Sequence, residues 1–165
     1  MVRPQFPDDG VFLQWPQAGT EWIHPDDVAA AERLIPSNRV FRRVAFEPPY
    51  YHYWYGETRL RLKPAMWLAV PGEGFDVGDP IETIGLGKEQ DLFVGQIIER
   101  RYDTRQQAIY YRLRRGDQRL PRRYAAKNLR LLVDKVELPP AEQITVEPAE
   151  DATIDPAMRI DPPST

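Results

Sequence analysis

Residues 110–120 read YYRLRRGDQRL, and they repeat at an offset of sixty, without a gap, the pattern of residues 50–60, YYHYWYGETRL. Tyr50 and Tyr110, Tyr51 and Tyr111, Gly56 and Gly116, Arg59 and Arg119, and Leu60 and Leu120 are identical, and Glu57 and Asp117 keep an acid after the glycine. In each copy an alternating run meets Gly beside an acid and then resumes with Arg-Leu, which is the signal of a β-hairpin with a short turn. Two hairpins of one design predict two small β-units in the chain.

Alternation sorts the residues of each hairpin by face. Ile109, Tyr111 and Leu113 point inward by their apolarity, which leaves Tyr110, Arg112 and Arg114 outside. Carried through the repeat, the same register places Tyr51, Tyr53 and Tyr55 inside and Tyr50, His52 and Trp54 outside. One outer face is basic and the other aromatic.

Working outward, residues 1–22 read as an extended start containing Val11, Phe12 and Trp15. The stretch IHPDDVAAAERLIP predicts a helix: Pro25 suits its first position, and Asp26 and Asp27 favour the positive helix N-terminus. Val28, Ala31, Leu34 and Ile35 make an apolar stripe, and Pro36 ends it. Strand-like runs follow to Val70, so residues 23–73 form a helix plus a β-unit. PGEGFDVGD is a glycine-rich acidic connector, after which DPIETIG, DLFVGQIIER, QAIYYRLRR and NLRLLV are short and bounded by turns. That spacing predicts a small barrel or rolled sheet over residues 74–134, with Gly95 marking a bulge or sharp bend. Residues 135–165 are acidic and Pro-rich without apolar periodicity, and read as a disordered tail. The fold class expected is mainly β, a β-rich α+β chain of two adjoining units with one N-terminal helix.

The pattern V-G-D-x-I-E, V-G-x-I-x-x-R-x-Y, I-x-Y-x-L and Y-x-A-x-N-L-R-L-L, over roughly residues 76–133, resembles the Tudor or SH3-like small-barrel superfamily. The resemblance implies a five-stranded roll. It is compatible with ligands as different as peptides, methylated side chains, nucleic acids and ribosomal partners, so it leaves the ligand open. The IHPDD segment is similar to uncharacterised bacterial proteins that join such a unit to a small barrel.

Composition narrows the classes further. The absence of cysteine excludes disulfides, thiolate metal sites and cysteine nucleophiles. No apolar run approaches the roughly 20 residues of a membrane span, and the start MVRPQFPDDG lacks an apolar leader, so a soluble, cytoplasmic protein with no membrane partner is expected. The net charge of −3 conceals segregation: residues 96–135 hold 12 basic and 4 acidic side chains, and residues 136–165 hold 1 and 7. An acidic tail beside a basic unit could bind it, shield it or keep the chain soluble.

For the basic face, Arg112, Arg114, Arg122 and Arg123 are the expected phosphate contacts, and Tyr110 and Tyr124 the stacking platforms, of a non-catalytic module binding nucleic acid or another acidic partner. The competing reading is a solvated strand face whose arginines discourage edge pairing. Tyr50, His52 and Trp54 form the alternative, an aromatic face for a peptide or a second copy, set against coverage by the helix. His24, Asp26 and Asp27 are competent metal ligands, but adjacent acids in a first helical turn are explained by the dipole. No cofactor motif is present: GLGKEQ lacks the spacing and Lys-Ser/Thr pair of a phosphate loop. Neither histidine has a Ser and Asp partner pattern, so the chain is not expected to be an enzyme.

Overall fold

The computed structural model describes residues 3–132 except 18, 86 and 88–91. The expected tail, 135–165, and the last two residues of the 74–134 unit lie outside the described residues. Among the described residues, the chain runs β1 (Asp8–Phe12), a 3-10 turn (Pro25–Asp27) leading into α1 (Val28–Leu34), β2 (Ser37–Glu47), β3 (Tyr50–Tyr55), β4 (Thr58–Leu62) and β5 (Leu68–Val70). It continues through β6 (Pro80–Thr83), β7 (Val94–Asp103), β8 (Ala108–Arg115), β9 (Gln118–Arg119), β10 (Tyr124–Ala125), a 3-10 turn (Ala126–Asn128) and β11 (Leu129–Leu131). The protein is mainly β with one short helix, its sheet curled into a half-barrel.

Both hairpins form as the repeat predicts. Tyr55 pairs with Thr58 and Arg115 with Gln118, so each turn has two residues, Gly56-Glu57 and Gly116-Asp117. Gly56 and Gly116 take φ of 58° and 57° while the acid after each keeps a negative φ, the II′ arrangement whose twist matches that of the flanking strands. Inside and outside also follow the alternation: Tyr53, Ile109, Tyr111 and Leu113 are buried, while Trp54 and Arg114 are exposed.

Two hydrophobic clusters lie on opposite sides of a shared wall. Phe12 and Phe41 belong to one, with Trp22, Ile23, Ala31, Ile35, Tyr53, Leu60 and Leu62. Their neighbours Val11 and Val40 belong to the other, with Ile81, Ile97, Ile109, Tyr111, Leu113, Tyr124 and Leu129. Successive side chains of a strand point to opposite faces, so β1 and β2 divide the two cores, and Val11–Phe12 and Val40–Phe41 are buried on both sides. β2 completes the connection by pairing with β1, β3 and, through Arg39 and Arg101, β7. Residues through Leu132 form one compact unit.

The helix is shorter than its sequence signal because His24 starts it as a 3-10 turn: its Nδ1 accepts from the Asp26 backbone N–H at 3.2 Å. Ser37 ends it by donating to the Leu34 carbonyl at 2.6 Å. The bulge expected at Gly95 lies instead at Ile98, where the register of β7 on β8 shifts between Ile97 and Glu99. Gly95 answers a different need, since a Cβ there would sit 2.5 Å from the Arg114 carbonyl oxygen.

Gly10 is the tightest point of the shared wall. A Cβ would lie 2.4 Å from the Trp67 ring and 2.6 Å from the Leu68 carbonyl oxygen. Gly10→Ala is therefore expected to lower stability by about 1–3 kcal/mol, because indole and strand must both move. Urea unfolding measures this directly; a loss under about 0.5 kcal/mol would show that Trp67 moves aside freely.

Candidate functional site

Strand pairing assembles the outer basic face. Arg114 lies opposite Gln96 on one side and Arg119 on the other, Arg112 opposite Glu99, and Tyr110 opposite Arg101. The arginines here divide by their partners. Glu99 holds two of them, Arg101 at 3.1 Å and Arg119 at 2.6 Å. Burial works to raise the Glu99 carboxyl, but hydrogen bonds and charge from both guanidiniums outweigh it and hold the group low. Asp103 lies 4.0 Å from Arg123, whose guanidinium also covers the Tyr110 ring at 4.3 Å.

Arg112 and Arg114 have no such neutralisation. Arg112 donates to the Pro121 carbonyl at 2.6 Å and Arg114 to Gln96 Oε1, and neither meets a carboxylate among the described residues. They stand beside the Tyr110–Arg123 stack, which presents a guanidinium plane outward. The structure thus brings Tyr110, Arg112, Arg114 and Arg123 onto one face.

Tyr124 and Arg122 fall elsewhere, which corrects the expectation for Tyr124. It pairs with the inward Tyr111, is 5% exposed and packs edge-on against Phe93. Its ring is core and offers no open stacking surface. Arg122 lies over that ring at 5.4 Å, and Arg115 over Phe93 at 5.6 Å, so this pair of cations rims the other side of the sheet.

The aromatic face is broken up by local partners. The Tyr50 ring packs on His24 at 5.3 Å, and His52 Nε2 lies 3.3 Å from Glu47. Trp54 alone remains largely open, at 44% exposure, with the Arg59 guanidinium 4.2 Å above its ring. The three side chains share a strand face without forming one patch. Around the helix start, Asp27 is committed to Arg61, accepting from its backbone N–H at 2.8 Å and its Nε at 2.9 Å. That hydrogen bonding holds the Asp27 carboxyl below the usual carboxylate range.

One site had no sequence expectation. Trp54, Tyr55 and Arg59 join Val40, Val77 and Arg100 around a cavity of about 190 Å³. Arg100 is 1% exposed, pairing through Nη1 with Asp76 and through Nη2 with Asp9, each at 3.1 Å. Arg42 also contacts both carboxylates. Burial pushes the Asp76 carboxyl up, against the pull of Arg42 and Arg100. Strict alternation from the inward Ile97 would turn Arg100 outward, and the bulge at Ile98 turns it inward instead.

Among the described residues, no group of three or more His, Asp or Glu side chains could hold a metal ion, and no helix is long and apolar enough to cross a membrane. No curated protein and no solved structure matches the chain. A family model does match, over residues 1–130, and its range takes in both hairpins, the shared wall and the basic face. The chain belongs to that family, described as a family of unknown function (DUF6960).

Proposed function

We propose that the protein is a non-catalytic, cytoplasmic binding module whose second β-unit, an SH3/Tudor-like roll, contacts the phosphate backbone of a nucleic acid through Arg112 and Arg114. The observation carrying this reading is the contrast in charge pairing across one face: Arg101 and Arg119 share Glu99 and Arg123 lies beside Asp103, while Arg112 and Arg114 meet no carboxylate among the described residues. A planar guanidinium contacts phosphate oxygens bidentately and tolerates stacking, which suits the Arg123–Tyr110 pair to an adjacent base.

Fluorescence anisotropy with a labelled oligouridine, titrated over a range of salt, tests it. Changing Arg112 and Arg114 together to Ala is expected to weaken binding and to flatten the slope of log K against log salt by about 1.4, since each single-strand phosphate contact contributes about 0.7. An unchanged slope would remove both residues from the interface. A docking surface centred on Trp54 is the alternative, favoured by that residue's 44% exposure. It predicts a protein partner whose affinity depends on Trp54 and is nearly indifferent to moderate salt.

A further inference from the structure

We infer that the ligand of the basic face is a single nucleic-acid strand that continues across the groove beside it and meets a third guanidinium, Arg59 of the first hairpin, an inference that rests on the phosphate-binding reading of Arg112 and Arg114. Arg59 is exposed and meets no carboxylate among the described residues. Neutral groups hold it instead. Its Nη1 donates to the Gly56 carbonyl at 2.5 Å and the Thr58 carbonyl at 3.2 Å, and its guanidinium lies 4.2 Å from the centre of the Trp54 ring. Arg112 is held in the same manner, by the Pro121 carbonyl. A guanidinium fixed by carbonyls and a ring keeps its whole charge for an outside anion and loses little side-chain freedom on meeting one.

Continuity joins Arg59 to the basic face. The cavity that Arg59 lines and the groove that Arg114 lines share Gly56 and Val77. That groove, of about 390 Å³, lies between the Gly56-Glu57 turn of the first hairpin and Gln96, Ile98 and Arg114 of the second unit. Arg112 and Arg114 stand two residues apart on β8, about 7 Å, so one strand that meets both needs only to follow the groove past the turn to reach Arg59. A flexible single strand makes that bend. A duplex, stiff over about 50 nm, does not.

One group on this path has the opposite sign. Glu57 is exposed and lines the groove, and no ion pair engages it among the described residues. Its carboxylate repels each phosphate that passes, so it acts as a brake on the same strand that Arg59 attracts. The two residues therefore make predictions of opposite sign for one ligand.

The test is fluorescence anisotropy with a labelled oligouridine of about ten nucleotides, titrated over a range of salt. It compares the parent chain with Arg59→Gln, Glu57→Gln and Arg33→Gln, the last an exposed residue of α1 that lines neither cavity nor groove. Arg59→Gln is expected to weaken binding about fivefold and to flatten the slope of log K against log salt by about 0.7, the share of one single-strand phosphate contact. Glu57→Gln should tighten binding about twofold. Arg33→Gln removes the same charge as Arg59→Gln and should leave the slope where it was. An Arg59→Gln slope equal to that of the parent, or a loss matched by Arg33→Gln, would overturn the crossing, as would a Glu57→Gln variant that binds no tighter. The phosphate reading is judged apart from this by the Arg112 and Arg114 double variant: it stands if that variant alone flattens the slope, and both fall if the parent chain does not bind the oligomer.

Discussion

Phe12→Ala is expected to cost about 4 kcal/mol of folding stability, the largest loss from any single truncation in the first core. Phe12 is 0% exposed and its ring meets four others, Tyr53 and Trp67 at 5.1 Å, Phe41 at 5.6 Å and Trp22 at 5.8 Å. Truncation removes the transfer energy of the ring, the edge-to-face contacts and the filler of a space bounded by four rigid groups that cannot collapse into it. Urea unfolding followed by tryptophan fluorescence should show a lower midpoint with an unchanged slope. A loss below about 1 kcal/mol would mean that the ring cluster is not the centre of this core.

Arg100→Met should be nearly as damaging, at about 3–5 kcal/mol, because it strands buried charge. Asp9 and Asp76 each lose one of their two guanidiniums and keep only Arg42. The pH dependence of the deficit has a definite sign. Burial already raises the Asp76 carboxyl, so its ionised form is disfavoured in the folded state, and that penalty is relieved as pH falls through the folded pKa and the group takes up a proton. The difference between Arg100→Met and the parent chain should therefore be greatest at neutral pH and shrink on acidification. A difference independent of pH would assign the loss to packing of the arginine stem alone.

The contrast between these two residues shows where the sequence was legible. Phe12 could be read as apolar, but only the structure reveals that Val11 beside it serves a second core, because period-two logic expects one wet face and β1 has none. The hairpins were readable because a two-residue turn with glycine at its first position has few solutions, and the faces followed from alternation once the turn was fixed. Alternation failed where an extra residue entered. From Ile97, strict period two would turn Glu99 inward and Arg100 outward; the bulge at Ile98 reverses this, so Glu99 faces out to gather Arg101 and Arg119 while Arg100 enters the core. Tyr124 lies in the core for a related reason, since its face is set by its pairing with Tyr111, a long-range contact that no local pattern encodes. The split of the arginines into compensated and uncompensated sets was equally hidden, because it depends on which strand lies beside Glu99.

Arg112 and Arg114, which meet no carboxylate among the described residues, are the proposed phosphate contacts, whereas Arg43, Arg61, Arg101 and Arg119 are held by carboxylates of the fold. The most direct measurement follows the side-chain Nε–Hε signals of the arginines by heteronuclear NMR as oligouridine is added. Saturable, salt-sensitive shifts are expected at Arg112 and Arg114, with Arg43 and Arg61, held by Asp8 and Asp27, unmoved. Shifts confined to arginines outside the β8 face, or none at all, would contradict this assignment.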